Sequence, residues 1–172
     1  MNGKERESVL KNAIDLYENI HGKDSPELID LLIDAGKAIS ALSIAEESFG
    51  EGSILYADTL LAAGMSDLTR LSSKSRFLKE ALKVYNNEAE GSESWGASLA
   101  NFQLGKIKIA QEKYKSSIPY FLQATKNPSI ASYAHAFLVE AYDRTSQQDK
   151  ATEHVLMMAR QPIRGKDYIP YL

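Results

Sequence analysis

The sequence predicts an all-α protein: a right-handed α-solenoid of three to four stacked antiparallel helix hairpins over residues 1–161, followed by an extended tail or linker over 162–172. Three observations carry this. Apolar residues keep helical spacing from the start of the chain to Arg160. A Gly-x-x-Ser signal recurs at Gly22/Ser25, Gly50/Ser53 and Gly91/Ser94, each time before an apolar helical run. Between 98 and 162 one pattern appears twice at a spacing of thirty-four residues. Leu104-Gly105 returns as Leu138-Val139, Ser117 as Ala151, Phe121 as Val155, Ala124 as Met158 and Pro128 as Pro162. Two antiparallel helices fit in that period, and a hairpin unable to bury its apolar face alone stacks on a copy of itself. The small residues at 105, 117, 124 and 151 are expected where helix backbones come closest, with Pro128 and Pro162 just past each second helix.

In chain order, Leu10, Ala13, Ile14, Tyr17 and Ile20 give one helix over 4–20, stopped by Gly22. Ser25 before Pro26 reads as a helix start, because the hydroxyl caps free amides and proline suits the first helical position. From Leu28 to Phe49 a single apolar stripe continues without a turn cluster. Residues 25–49 are therefore one long helix bent near Gly36, or a hairpin with a stunted second arm; the unbroken stripe favours the single helix. The starts at Ser25, Ser53 and Ser94 are twenty-eight and forty-one residues apart. The longer step suits a hairpin with a long second helix, as in the kinesin-light-chain type of repeat. Helices are then expected over 53–68 and 72–88, 94–112 and 113–126, and 129–145 and 147–160. Pro119 is placed in the first turns of its helix, where it costs little. Pro162, Gly165 and Pro170 end the pattern, leaving an apolar tail with Ile163, Tyr168, Ile169, Tyr171 and Leu172. That strip is expected to fold onto the last hairpin, to lead into a further domain, or to bind another copy and so give a homo-oligomer.

Against the tetratricopeptide pattern (W-x2-L-G-x2-Y, then A-x3-F, then P) one copy reads Asn101, Leu104, Gly105, Lys108, Ser117, Phe121, Pro128, and the next His135, Leu138, Val139, Tyr142, Ala151, Val155, Pro162. The chain resembles the tetratricopeptide repeat family. In that family the first helix of each hairpin lines a concave side along which peptides lie. The resemblance implies inner positions at Asp58, Leu61, Met65 and Leu68, at Leu99, Phe102, Lys106 and Ile109, and at Tyr133, Ala136, Glu140 and Asp143. Of these, Met65, Phe102, Lys106, Ile109, Tyr133, Glu140 and Asp143 are the expected partner-binding residues. Phe102 and Tyr133 would supply aromatic anchors and Lys106 a charge clamp. Leu61, Leu99 and Ile109, by their hydrophobicity, fit a core as well as a groove.

A second resemblance lies at the end of the chain. AHAFLVEAY over 134–142, ATEH over 151–154 and DYIPYL over 167–172 resemble the repeat region ahead of the C-terminal domain of TonB-like energy-transducer proteins. It implies a periplasmic location and a supporting role in TonB-type envelope transport. The alternative is a cytosolic adaptor or chaperone that holds a peptide segment of a partner.

Composition narrows the chemistry. The 172 residues suffice to bury roughly 70% of the unfolded surface. A net charge of −3 argues against a nucleic-acid binder. Residues 1–50 carry five basic and ten acidic side chains, the remainder fifteen and thirteen. Without cysteine there is no disulfide, thiolate zinc site or cysteine nucleophile. No apolar run approaches the roughly eighteen residues of a membrane span, and no signal-peptide core follows Met1-Asn2-Gly3-Lys4. The chain is thus expected to be cytosolic, or a fragment that follows a targeting segment.

His21, His135 and His154 lack the i, i+4 spacing of helical metal ligands, so structural or surface roles are expected. Gly22-Lys23-Asp24-Ser25 lacks the other elements of a phosphate loop. Glu46-Glu47 and Asp30/Asp34 suit solvated helix faces. No Gly-x-Ser-x-Gly elbow is present, and Lys106, Lys108, Lys113 and Lys115 form a basic cluster suited to a helix end. No catalytic residue, metal or cofactor is expected; the partner is a protein or peptide.

Overall fold

A computed structural model of the chain describes residues 3–87 and 94–160. They are all-α: nine α-helices and one 3-10 turn, with no strand among the described residues. The chain divides into two compact units, Met1–Val84 and Tyr85–Leu172. The expected tail over 162–172, Gly91 and Pro162 lie outside the described residues.

The first unit holds α1 (Gly3–His21), a 3-10 turn (Pro26–Leu28), α2 (Ile29–Asp34), α3 (Ala38–Phe49), α4 (Ile54–Met65) and α5 (Leu71–Tyr85), the last residue of which belongs to the second unit. Gly22 stops α1 at φ +95°, as expected. Ser25 stands before the turn with Pro26 at its first position, yet its hydroxyl caps no amide and donates instead to the Glu27 carboxylate. Ser53 does cap α4, accepting from the Tyr56 amide at 3.1 Å.

Residues 25–49 are not one bent helix. The chain reverses at Ala35-Gly36-Lys37, and the shorter arm is the first rather than the second. Gly36 takes φ +74°, its amide bonds the Ile33 carbonyl at 3.0 Å, and the Lys37 amide bonds the Leu32 carbonyl at 2.8 Å. This paired closure is the Schellman stop, which needs a residue in the left-handed region. A stripe that continues through a turn is what two antiparallel helices sharing one core require. Leu28, Leu32 and Ile33 before the turn and Ala41, Leu42 and Ala45 after it are all buried.

The second unit holds α6 (Trp95–Ala110), α7 (Tyr114–Ala124), α8 (Pro128–Arg144) and α9 (Gln148–Arg160). Ser94 caps α6, accepting from the Ala97 amide at 3.2 Å. Pro128 opens α8 at its first position behind the Asn127 cap, which accepts from the Ser129 amide at 3.1 Å. The proline therefore begins the next helix as well as ending the last. Pro119 falls in the second turn of α7, among its first turns as expected, on an exposed face. α6 packs on α7, α7 on α8, α8 on α9, and α6 directly on α8.

The period is visible in the turns of this unit. The Lys113 amide bonds the Lys108 carbonyl at 2.9 Å and the Glu112 amide bonds that of Ile109 at 2.8 Å. Gln147 bonds Tyr142 at 2.9 Å and Ser146 bonds Asp143 at 3.0 Å. Glu112 at φ 56° and Ser146 at φ 57° take the place that Gly36 takes in the first unit. The small residues also serve as expected. A Cβ on Gly105 would stand 2.6 Å from Cε1 of Phe121, and one on Gly64 2.7 Å from Cγ of Leu78. Ser117, Ala124 and Ala151 are buried.

Two opposite substitutions test this geometry. Gly105→Ala gains about 1 kcal/mol of helix propensity but forces the Phe121 ring aside, so urea unfolding should show a net loss of about 1–3 kcal/mol. Ser146→Gly relieves a left-handed side chain worth on the order of 1 kcal/mol, partly offset by the looser unfolded chain. It should raise the urea midpoint without changing the slope.

Candidate functional site

The face expected to meet a partner is built in the second unit from α6 and α8, which pack side by side. α8 presents Tyr133, Ala136, Glu140 and Asp143 at spacings of three, four and three, one line along a helix. Tyr133 is 42% exposed, Ala136 and Asp143 are exposed, and Glu140 is half-buried. Asp143 accepts from Nε2 of Gln148 at 3.3 Å. On α6, Lys106 and Ile109 are half-buried, and Nζ of Lys106 lies 5.7 Å from the centre of the Phe102 ring. Among the described residues neither Lys106 nor Glu140 enters an ion pair. Met65 is half-buried on α4 of the other unit.

Phe102 is a correction. It is 1% exposed and belongs to a three-ring cluster rather than to a surface. Its ring meets Phe121 edge-on at 5.7 Å and Phe137 edge-on at 5.4 Å, and Phe121 stacks on Phe137 at 5.1 Å. The cluster ties α6, α7 and α8 together, and such ring pairs contribute beyond their buried area. The space left by Gly105 admits Phe121, and Phe121 in turn draws Phe102 inward. Leu99 is likewise fully buried. Of the expected partner-binding aromatics on these helices, Tyr133 is the one left exposed, amid charged and small side chains.

The structure also brings together two residues that sequence spacing kept apart. His135 on α8 and His154 on α9 are 7% and 6% exposed, and their Nδ1 atoms lie 2.9 Å apart. The Tyr142 ring stacks on His154 at 5.4 Å and 7°. Burial pushes both imidazoles below the usual histidine range. His154 adds to the effect on His135, while Glu153 opposes it at His154. Burial, with Glu153, pushes the Tyr142 phenol up. No group of three metal-ligating side chains occurs among the described residues. A signal for the pair does exist in the sequence. His135 lies eleven residues before Ser146 and His154 eight after it, and residues at comparable distances on either side of a hairpin turn come near one another across it. The turn at Ser146 has no glycine to announce it.

No protein-family model matches the chain, and no curated protein does. Among solved structures, the crystal structure of BtubC (BKLC) from P. vanneervenii is similar with a TM-score of 0.68 at 17% sequence identity, over 91% of this chain and 74% of that one. A likeness at this identity concerns the all-α fold alone.

Core and surface separate cleanly by mutation. Phe102→Ala should cost about 3–5 kcal/mol in chemical denaturation. Tyr133→Ala, on the exposed line of α8, should stay within about 0.5 kcal/mol of the parent.

Proposed function

We propose that the chain is a non-catalytic protein-interaction scaffold, a tetratricopeptide-like stack of hairpins that holds an extended segment of a protein partner along α6 and α8. The observation that carries this is the line Tyr133, Ala136, Glu140, Asp143 on α8, exposed apart from half-buried Glu140, with Lys106 and Ile109 half-buried on α6, which packs on α8, while other faces of the same two helices pack the hairpins. Small Ala136 gives a backbone room to approach. Tyr133 offers a rigid amphipathic ring, and the flanking charges offer hydrogen bonds and orientation. A segment with an apolar side chain for Tyr133 and Ile109, and charges of both signs opposite Lys106 and the Glu140/Asp143 pair, fits that chemistry. The resemblance of 134–172 to the region ahead of the C-terminal domain in TonB-like transducers supports a periplasmic setting beside TonB-type envelope transport.

Residues 1–172 immobilised as bait, offered a bacterial envelope fraction, should retain a protein that the Lys106→Glu, Tyr133→Ala double variant does not, with helix content by circular dichroism unchanged. Equal retention by both baits would remove the α6–α8 face from the proposal.

A further inference from the structure

The contact between His135 and His154 is a hydrogen bond with room for one proton. At 2.9 Å between the Nδ1 atoms, one ring donates and the other accepts through its lone pair. Two imidazolium rings would set two N–H groups head to head, and the contact would have to part. Both rings are buried, so little water reaches them to screen an added charge.

The charged neighbours do little to offset that. On α9, Glu153 favours a proton on His154, but burial outweighs it. Lys150 already holds a positive charge 5.4 Å from the centre of the Tyr142 ring that stacks on His154. On α8, Asp143 is engaged by Gln148, and Arg144 lies 5.4 Å from the centre of the Tyr114 ring of α7; Glu140 is the remaining acid of that helix beyond His135. From α6, Lys106 lies over Phe102. Glu153 raises His154, and His154 lowers His135, in each case less than burial lowers the ring.

His154 is also one of the side chains that hold the last described helix. Ala151 and His154 are the fully buried residues of α9, with Met157 and Met158 half-buried. Of the two buried ones, one is a methyl group and the other a titratable ring. One period earlier, the equivalent positions hold Asn101 and Tyr120, a pair with no imidazole. Buried Asn101 donates to the Ala97 carbonyl of its own helix at 3.0 Å.

We propose that the His135–His154 pair is a proton-operated latch: acidification charges both rings, the Nδ1 contact opens, and α9 comes away from α8 while the α6–α7 hairpin stays closed. Free histidine takes up its proton near about pH 6.5, and burial holds both rings of the pair below that range. As the pH falls past this value the detached helix binds protons before the attached one does, so acid favours detachment. Attachment is complete above about pH 6.5 and is lost as the pH drops through the lowered values of the folded pair.

Hydrogen exchange of the full chain tests the latch, read by segment at about pH 7.5 and about pH 5 and corrected for the intrinsic chemical rate. In acid, α9 should lose protection about tenfold more than α6 and α7. His135→Leu combined with His154→Leu should abolish that differential, and His21→Gln on α1 should leave it in place. A differential undiminished in the leucine pair overturns the latch, as does an unmodified chain with no differential. Two leucines replace two polar rings of different shape, so the imidazole resonances of the unmodified chain give a second reading. His135 and His154 should titrate below about pH 6.5, the ordinary histidine value, with loss of their mutual contact. Titration of the pair at or above that value, or with the contact intact, also overturns it.

Discussion

Everything in the second unit depends on where its helices stop. A helix that ends one residue early or late rotates its partner by about 100°, and a different set of side chains would meet across the hairpin. The stop is the same at Gly36, Glu112 and Ser146: a left-handed residue, with the amide after it reaching back five residues to a helix carbonyl. Those turns fix the register in which Gly105 receives the Phe121 ring and His135 faces His154. Two of the three are held by side chains that would prefer another conformation. The packing beyond each turn must outweigh that local preference, and the buried residues on both sides show what does so.

The parts of the fold legible in the sequence were those with a local chemical marker. Ser53 and Ser94 announce helix starts because a short hydroxyl side chain can reach a free amide, and both do. Gly22 announces a stop because only glycine takes φ +95° freely. The small residues at 105, 117, 124 and 151 were legible as a period, since close approach leaves no room for more. Gly36 carried the same marker as Gly22, but the apolar stripe through it masked the turn. A stripe records which residues share a core and is silent on whether the chain reverses between them. Glu112 and Ser146 carried no marker at all.

The candidate surface was legible in outline and misread at its centre. Counting along the repeat places Phe102 and Tyr133 on corresponding inner lines, and hydrophobicity alone cannot rank them. Their difference arises from neighbours. Gly105, three residues after Phe102, opens a gap that Phe121 enters, and Phe137 closes the cluster. Beside Tyr133 the helix offers Ala136 and acids, which build no pocket to draw the ring in. One aromatic is thereby committed to the core and the other left exposed. In the proposed scaffold, mixed charges around an exposed ring would favour orientation and fast association over tight binding.

The last described helix is covered on fewer sides than its equivalent thirty-four residues earlier. Phe121 and Val155 occupy equivalent positions, yet Phe121 is fully buried and Val155 is 49% exposed, because α8 covers the first and no described helix covers the second. Among the described elements α9 packs against α8 alone, whereas α7 packs against both α6 and α8, and interfaces between neighbouring helices supply much of the stability of stacked hairpins. α9 therefore belongs at the low end of the local stability of its unit, where small free-energy changes decide whether a segment is open or closed. A buried titratable contact deep in the array would be held shut by its surroundings at any ordinary pH. Placed between α8 and α9, with Ala151 as the other buried side chain of α9, the same contact is large relative to what it must hold.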